Sequence, residues 1–486
     1  SDWSSDVCSS DLIVATRGVV ALPRDGHAVH VELGGLPSDT WLWYRFEAPG
    51  LGKVSRVGRT RTFPTDAGRV DAMRFALVSC QNYEQGYYTA YRDMTGQDVD
   101  FVVHTGDYIY ENAGSVSPLF PERVHVGPEI FSVADYRMRY AQYRLDADLQ
   151  DMHALAPFLV GWDDHEIDNN VAGTVPEEGA PYQGDEFLQR RLNAMQVYAE
   201  AMPLTMRSRV LNRGELRLYR ELRFGRLASF FMLDTRQYRD DQPAEDGFGS
   251  TDVLPPDVAA RIEAALGEVL FDPRITDGSA SMLGAAQEAW LTRRLPRSAA
   301  RWNVLSQGIM VMRWNLAVAA GGALSTLFNV DAWDGYQAAQ QRLTALMAAS
   351  GAQNPVVLTG DIHSSWGSNL LTDYATPNGD VAGVEFVCTG ISSTFTSPNP
   401  EPTDQLVKAT LPANPHIAYF EGRYRGYVLH DVTPDAWTAS FRAVQRSPSR
   451  SDLLAAPDSP VTTDAQLRVE AGFNLRGSGK RLQRVA

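Results

Sequence analysis

DFVVHTGDYIYE, residues 100–111, opens with a short apolar run, turns at Gly106, and then presents Asp107, Tyr110 and Glu111. PVVLTGDIHSSW, residues 355–366, repeats that grammar with Gly360, Asp361 and His363. A brief aliphatic run that stops at a turn and passes into polar residues predicts a buried strand whose carboxyl end faces a site. The same pattern recurs in RFALVSCQ (74–81), PFLVGWDDHE (157–166), ASFFMLDTRQ (228–237), RWNVLSQG (301–308) and VEFVCTG (384–390). Amphipathic stretches lie between these runs, with helices expected at Phe187–Ala201, Gln287–Leu295 and Tyr336–Ala349. Buried strands interleaved with helices predict an α/β layered core. Long Gly/Pro-rich segments at Asn112–Pro128 and Gln237–Gly278 are expected to be lids or binding loops.

Upstream the grammar changes. VVAL, HAVHVEL, WLWYRFEA and RTRTF, between Ile13 and Thr65, alternate in the manner of strands and predict part of a small β-domain. We expect a partial N-terminal β-sandwich over 13–68, a polar linker at Asp66–Asp71, and a catalytic domain over 72–486. Residues 1–12, SDWSSDVCSSDL, back-translate in one open frame to a widely used short-read sequencing adapter, so adapter read-through on a truncated gene is expected there. Cys8 then falls outside the native chain, leaving Cys80 and Cys388, too few for a disulfide framework.

Net charge is −15, or −12 without Asp2, Asp6 and Asp11, which disfavours a nucleic-acid partner. No apolar run has the length of a membrane span, and small anionic substrates remain compatible if cations wait in the site.

Asp107 and Asp361 each follow a strand and a glycine, and that glycine is expected to supply the sharp turn. Tyr110 and His363 lie three and two residues further on, close enough to converge with them. WDDHE places Asp163, Asp164, His165 and Glu166 together at a strand end, where clustered acids need compensating cations unless the loop is solvated. Cys80 ends another strand, as an inert buried side chain or as a thiolate ligand. His27, His30, His104, His125 and His153 take structural or surface roles by default. With acids dominant and histidine scarce, the pattern favours hard cations on oxygen ligands, and a tyrosinate beside a thiolate suits a ferric centre.

Together, SCQ (79–81), GDYIYE (106–111), WDDHE (162–166), LDTRQYR (233–239), RWNVLSQ (301–307), GDIHSSW (360–366) and NPHI (414–417) resemble the PhoD family of alkaline phosphatases, relatives of the purple acid phosphatases. The resemblance runs from about Ala21 to Val444. It implies a metallophosphatase-type two-layer β-sandwich flanked by helices, preceded by an immunoglobulin- or fibronectin-like domain. It also implies Fe3+ on Cys80, Asp107, Tyr110 and His363, and Ca2+ on Asp107, Asp164 and Asp361, with Asn169 or Asn170 as a further calcium contact. Asp107 would bridge the two metals, His165 would face the phosphate, and Arg236 would clamp its oxygens. The implied activity is phosphomonoester hydrolysis by a metal-activated water or hydroxide, in a secreted or periplasmic enzyme. A phosphodiesterase of the phospholipase D type is the alternative on the same ligands, and a catalytically dead surface-binding protein is a remote one. VCTGISS (387–393) departs from the family pattern and leaves the pocket wall near Cys388 open.

Overall fold

The computed structural model describes residues 13–117, 119–205, 208, 214–243, 248–250, 269–317, 325–376, 379–396, 400–449, 455–472 and 480–485. The expected adapter segment, 1–12, lies outside the described residues, as does much of the loop expected at Gln237–Gly278.

Two seven-stranded mixed sheets form the body. In the first, Met73–Val78, Phe101–His104 and Phe158–Val160 run parallel, and Arg425–Val432, Ala436–Val444 and Val461–Glu470 continue the sheet antiparallel from Met73–Val78. In the second, Ala228–Met232, Trp302–Ser306, Pro355–Thr359 and Val381–Val387 run parallel. Antiparallel Arg220–Phe224 closes one edge, and Ser365–Leu371 followed by Ile417–Glu421 closes the other. All seven apolar runs singled out above are strands.

Their sequences are apolar throughout because both faces are buried. Phe75 and Leu77 point between the sheets, where Phe75 stacks on Phe101 at 5.2 Å and meets Phe230 of the other sheet edge-on at 5.6 Å. Ala76 and Val78 point the other way, toward helices Thr89–Met94, Val133–Tyr143, Ala147–Leu155 and Asp185–Ala201. Helices Gly284–Arg294, Gln337–Ala349 and Glu401–Thr410 cover the outer face of the second sheet through Leu291, Leu343, Met347 and Val407. The three expected helices are present to within about three residues at each end.

The upstream region departs from expectation. WLWYRFEA and RTRTF contribute Trp41–Tyr44 and Gly58–Arg61, which pair antiparallel, but VVAL and HAVHVEL form no strand. Among the described residues they have no ladder partner, and an extended segment without one stays irregular. The paired strands are fastened to the body by Phe63, 5.3 Å from Phe101 and 5.1 Å from Phe224, and by Arg59, which donates to the Leu155 carbonyl at 2.8 Å. No helix among the described residues is long and apolar enough to cross a membrane.

Candidate metal centre

The parallel strands of both sheets end on one side of the molecule, and the loops that leave them carry the expected residues. Cys80 Sγ, an Asp107 carboxylate oxygen and a His363 ring nitrogen lie within 4.8 Å of one another. The Tyr110 hydroxyl joins them, 3.2 Å from Asp107 Oδ2 and 3.0 Å from His363 Nε2. A second trio of atoms within 4.8 Å comes from Asp107, Asp164 and His165, and a third from Asp163, Asp164 and Asp361. All six expected ligands are therefore brought together, with Asp107 common to the first two groups and Asp164 to the last two. Asp163, not predicted as a ligand, stands inside the third.

Four of these residues share an uncommon backbone conformation. Cys80, Asp107, Asp361 and His363 have φ of 54°, 57°, 65° and 54°, in the left-handed region that costs about 1–3 kcal/mol for a side-chain-bearing residue. At the first corner Gly106, at φ 133°, shares the tight turn with Asp107, as expected of it, whereas at the second Asp361 makes the turn without a positive φ at Gly360. The glycines are needed for closeness: a Cβ on Gly106 would lie 2.3 Å from the Asp163 nitrogen, and one on Gly360 would lie 2.5 Å from Ser79 Cβ.

Asp107 and Asp164 are 1% and 2% exposed, and Asp107 Oδ1, Asp163 Oδ2 and Asp164 Oδ1 have no hydrogen-bond partner. Burial, followed by Asp164, pushes the Asp107 carboxyl well above its ordinary range. Burial and Asp107 do the same to the Cys80 thiol and the Tyr110 phenol. Orphaned acid oxygens converging with a thiol, a phenol and an imidazole fit cations, whose charge reverses each of these shifts.

A family model described as "PhoD-like phosphatase" matches residues 75–441, and one described as its N-terminal domain matches residues 2–64. The chain belongs to the PhoD-like phosphatase family. It is 42% identical over 435 residues to "Alkaline phosphatase D" of Bacillus subtilis (strain 168), covering 89% of this chain and 69% of that protein. The solved structure titled "Structure of PhoD" superposes with a TM-score of 0.81 at 38% identity, covering 96% of this chain and 81% of the other. The mixed α/β fold and the family together make the protein a metal-dependent phosphoesterase.

Around the candidate ligands of this PhoD-like phosphatase stand the expected His165 and Arg236, together with Glu111, Glu166 and Asp331, to which the sequence motifs gave no role. His165 Nδ1 lies 2.7 Å from Glu111 Oε2, and its ring stacks on Tyr110 with centroids 4.0 Å apart. Burial opposes a charge on this imidazole, but Glu111, Asp164 and Asp107 outweigh it and hold the histidine well above its ordinary value. Glu166 accepts the backbone N–H groups of Asp107 at 3.0 Å, Tyr108 at 2.6 Å and Asp163 at 2.8 Å, pinning two ligand loops together. Both glutamates sat inside quoted motifs, where their charge was visible but their targets were not.

Arg236 is fully buried beneath the acids. Nε donates to Asp163, Nη1 reaches Asp331 at 2.8 Å, and Nη2 lies 2.9 Å from Asp361 and 3.4 Å from Asp164. Burial alone would raise the Asp164 carboxyl, yet Arg236 and His165 hold it well below its ordinary value. Asp331 also binds Arg239 at 2.7 Å, and nothing in its sequence context announced that role. Of the two asparagines left open, Asn169 turns its amide to Glu177 at 2.6 Å, whereas Asn170, at φ 51°, donates its backbone N–H to Asp164 Oδ2 at 2.7 Å.

Proposed function

We propose that the enzyme hydrolyses phosphomonoesters at a mixed centre, with Fe3+ held by Cys80, Asp107, Tyr110 and His363 and Ca2+ held by Asp107, Asp164 and Asp361. The observation carrying this reading is that three candidate ligand trios overlap through Asp107 and Asp164 while three of their acid oxygens have no hydrogen-bond partner. Thiolate, phenolate and imidazole on one side suit a strongly Lewis-acidic ion, and carboxylates alone on the other suit a hard divalent one. Asn170 supports the calcium side through its bond to Asp164.

Bound there, the cations would neutralise phosphate charge and acidify an attacking water. His165 carries the proton side of the reaction. Its Nδ1 is committed to Glu111, leaving Nε2 to donate to a phosphate oxygen or to the departing alkoxide. Arg236 was expected to clamp the phosphate directly; every one of its nitrogens instead faces a carboxylate, so we assign it the role of counter-charge that fixes Asp163, Asp164 and Asp361. We further infer that the two sheets form the family's metallophosphatase sandwich over 72–486, that 13–68 is part of its N-terminal domain, and that the enzyme acts outside the cytoplasm. Shared packing of Phe75, Phe230, Trp302 and Trp437 between the sheets supports the first of these.

The test pairs a chromogenic phosphate monoester with the matching diester under saturating Ca2+, alongside elemental analysis and a visible spectrum. Faster monoester turnover by a coloured, iron- and calcium-containing protein is expected. Preferential diester cleavage would transfer the reading to the phospholipase D type, and a colourless zinc protein would overturn the metal assignment.

A further inference from the structure

The run VCTGISS, whose departure from the family pattern left the pocket wall open, lies against the tyrosine-bearing half of the centre. The Ile391 N–H donates to the Ser79 carbonyl at 3.0 Å and the Ser393 N–H to the Cys80 carbonyl at 3.2 Å. Thr389 Oγ1, with one hydrogen to give, lies 2.8 Å from the Tyr424 carbonyl and 3.1 Å from the His363 carbonyl, and His363 Nδ1 meets the Thr394 carbonyl at 3.2 Å, which fixes the ring with Nε2 toward Tyr110. The segment is held in turn by Arg425 Nε on the Ser392 carbonyl and by the Gly426 N–H on the Gly390 carbonyl at 3.0 Å. One short loop thus braces Cys80, Tyr110 and His363 at once.

Within it the side chain of Ser393, fully buried, reaches the atom of Tyr110 that would bind the ion: its Oγ lies 2.8 Å from the Tyr110 hydroxyl. The same Oγ accepts the Asn82 N–H at 3.2 Å, which leaves the serine hydrogen for Tyr110. A tyrosine bound through its oxygen to a cation has no hydrogen to give, so Ser393 is the donor in the loaded enzyme. Hydrogen bonds to a charged oxygen are the strong ones.

We propose that Ser393 is a positioning residue for the reaction: its hydroxyl donates to the Tyr110 oxygen, aims it, and draws charge from it, so that the bound ion stays strongly Lewis-acidic. This rests on the ferric reading above. Weaker donation by the phenolate also widens the gap for charge transfer from tyrosine to iron, and that gap can be read directly.

The experiment compares metal content and visible spectra of the holoenzyme in wild type, Ser393→Ala, Ser393→Cys and Ser392→Ala. Ser392 Oγ bonds the Asn82 carbonyl at 2.7 Å and serves as the neighbouring control. Ser393→Ala is expected to keep its iron while its band moves to longer wavelength by roughly 20 nm, the size set by losing one hydrogen bond to a charged oxygen. Ser392→Ala is expected to leave the band in place. Should the alanine variant not fold, Ser393→Cys has nearly the same shape with a much weaker donor and is expected to move the band the same way. An unmoved band in an iron-loaded Ser393 variant, or an equal move in Ser392→Ala, overturns the proposal. A wild type with no visible band overturns the ferric reading, and this inference with it.

Discussion

Gly308 follows the strand Trp302–Ser306 and supplies no ligand, yet replacing it with alanine should disable the enzyme. A Cβ at this position would lie 2.3 Å from Asp163 Oδ1 and 2.4 Å from its Cγ. An ordinary carbon–oxygen contact needs about 3.3 Å, so one partner must move by about 1 Å. Asp163 cannot yield cheaply, being 1% exposed, with Oδ1 bonded to Arg236 Nε and its backbone N–H tied to Glu166 at 2.8 Å. The strain passes through Arg236 to Asp164 and Asp361. Forcing a methyl into a packed site costs about 1–3 kcal/mol. A 1 Å displacement of reacting groups costs on the order of 100-fold in rate. Gly308→Ala is therefore expected to melt a few degrees lower and to lose about two orders of magnitude in kcat. Combining it with Asp163→Ala removes every struck atom, and the pair should be non-additive by on the order of 1 kcal/mol in urea unfolding. Wild-type kcat and melting temperature in Gly308→Ala, or strict additivity in the double variant, would refute the reasoning.

Other consequences are open to equally direct measurement. Asp107→Asn should abolish turnover with circular dichroism unchanged, because asparagine tolerates the left-handed backbone at this position while removing the shared charge. Chelation should lower the melting temperature of the wild type, and chelated Asp107→Asn should melt above chelated wild type, since one buried acid has gone. Glu111→Gln retains the shape of the contact to His165 but removes its charge, and kcat should fall by about 100-fold with metal content unaltered. His430 is fully buried and burial lowers it to about 3, so the folded state resists its charging, and stability complete above its ordinary 6.5 is lost as pH falls from there toward 3. His430→Asn retains an acceptor for Trp437 Nε1, and below pH 6.5 its urea-unfolding free energy should fall with pH less steeply than that of the wild type, by about 1.4 kcal/mol per pH unit.

The parallel strands were legible because each is apolar on both faces and stops at a residue with chemistry, as Phe101–His104 stops before Asp107. The antiparallel half, such as Ala436–Val444, ends in no such residue and left no comparable mark. Helix Val133–Tyr143 carried a readable start, the reciprocal capping of Ser132 and Asp135, but its tyrosine- and arginine-rich face does not look apolar in one dimension. At the site, the candidate residues could be picked out at strand ends, whereas their arrangement could not. Arg236 and Asp331 are 95 residues apart, and only the packed chain pairs them. Nor does any local pattern reveal that Cys80 and His363 sit at positive φ, because that conformation is imposed by loops from two different sheets.

Those positive φ values bear on how this protein tolerates selection. Glycine occupies such a conformation without steric cost, so at positions 80 and 363 backbone comfort and chemical usefulness pull in opposite directions. A library screened for thermal resistance alone, in chelator, would drift toward glycine at both positions and discard the centre. The same library screened with the cofactor ions present would keep cysteine and histidine.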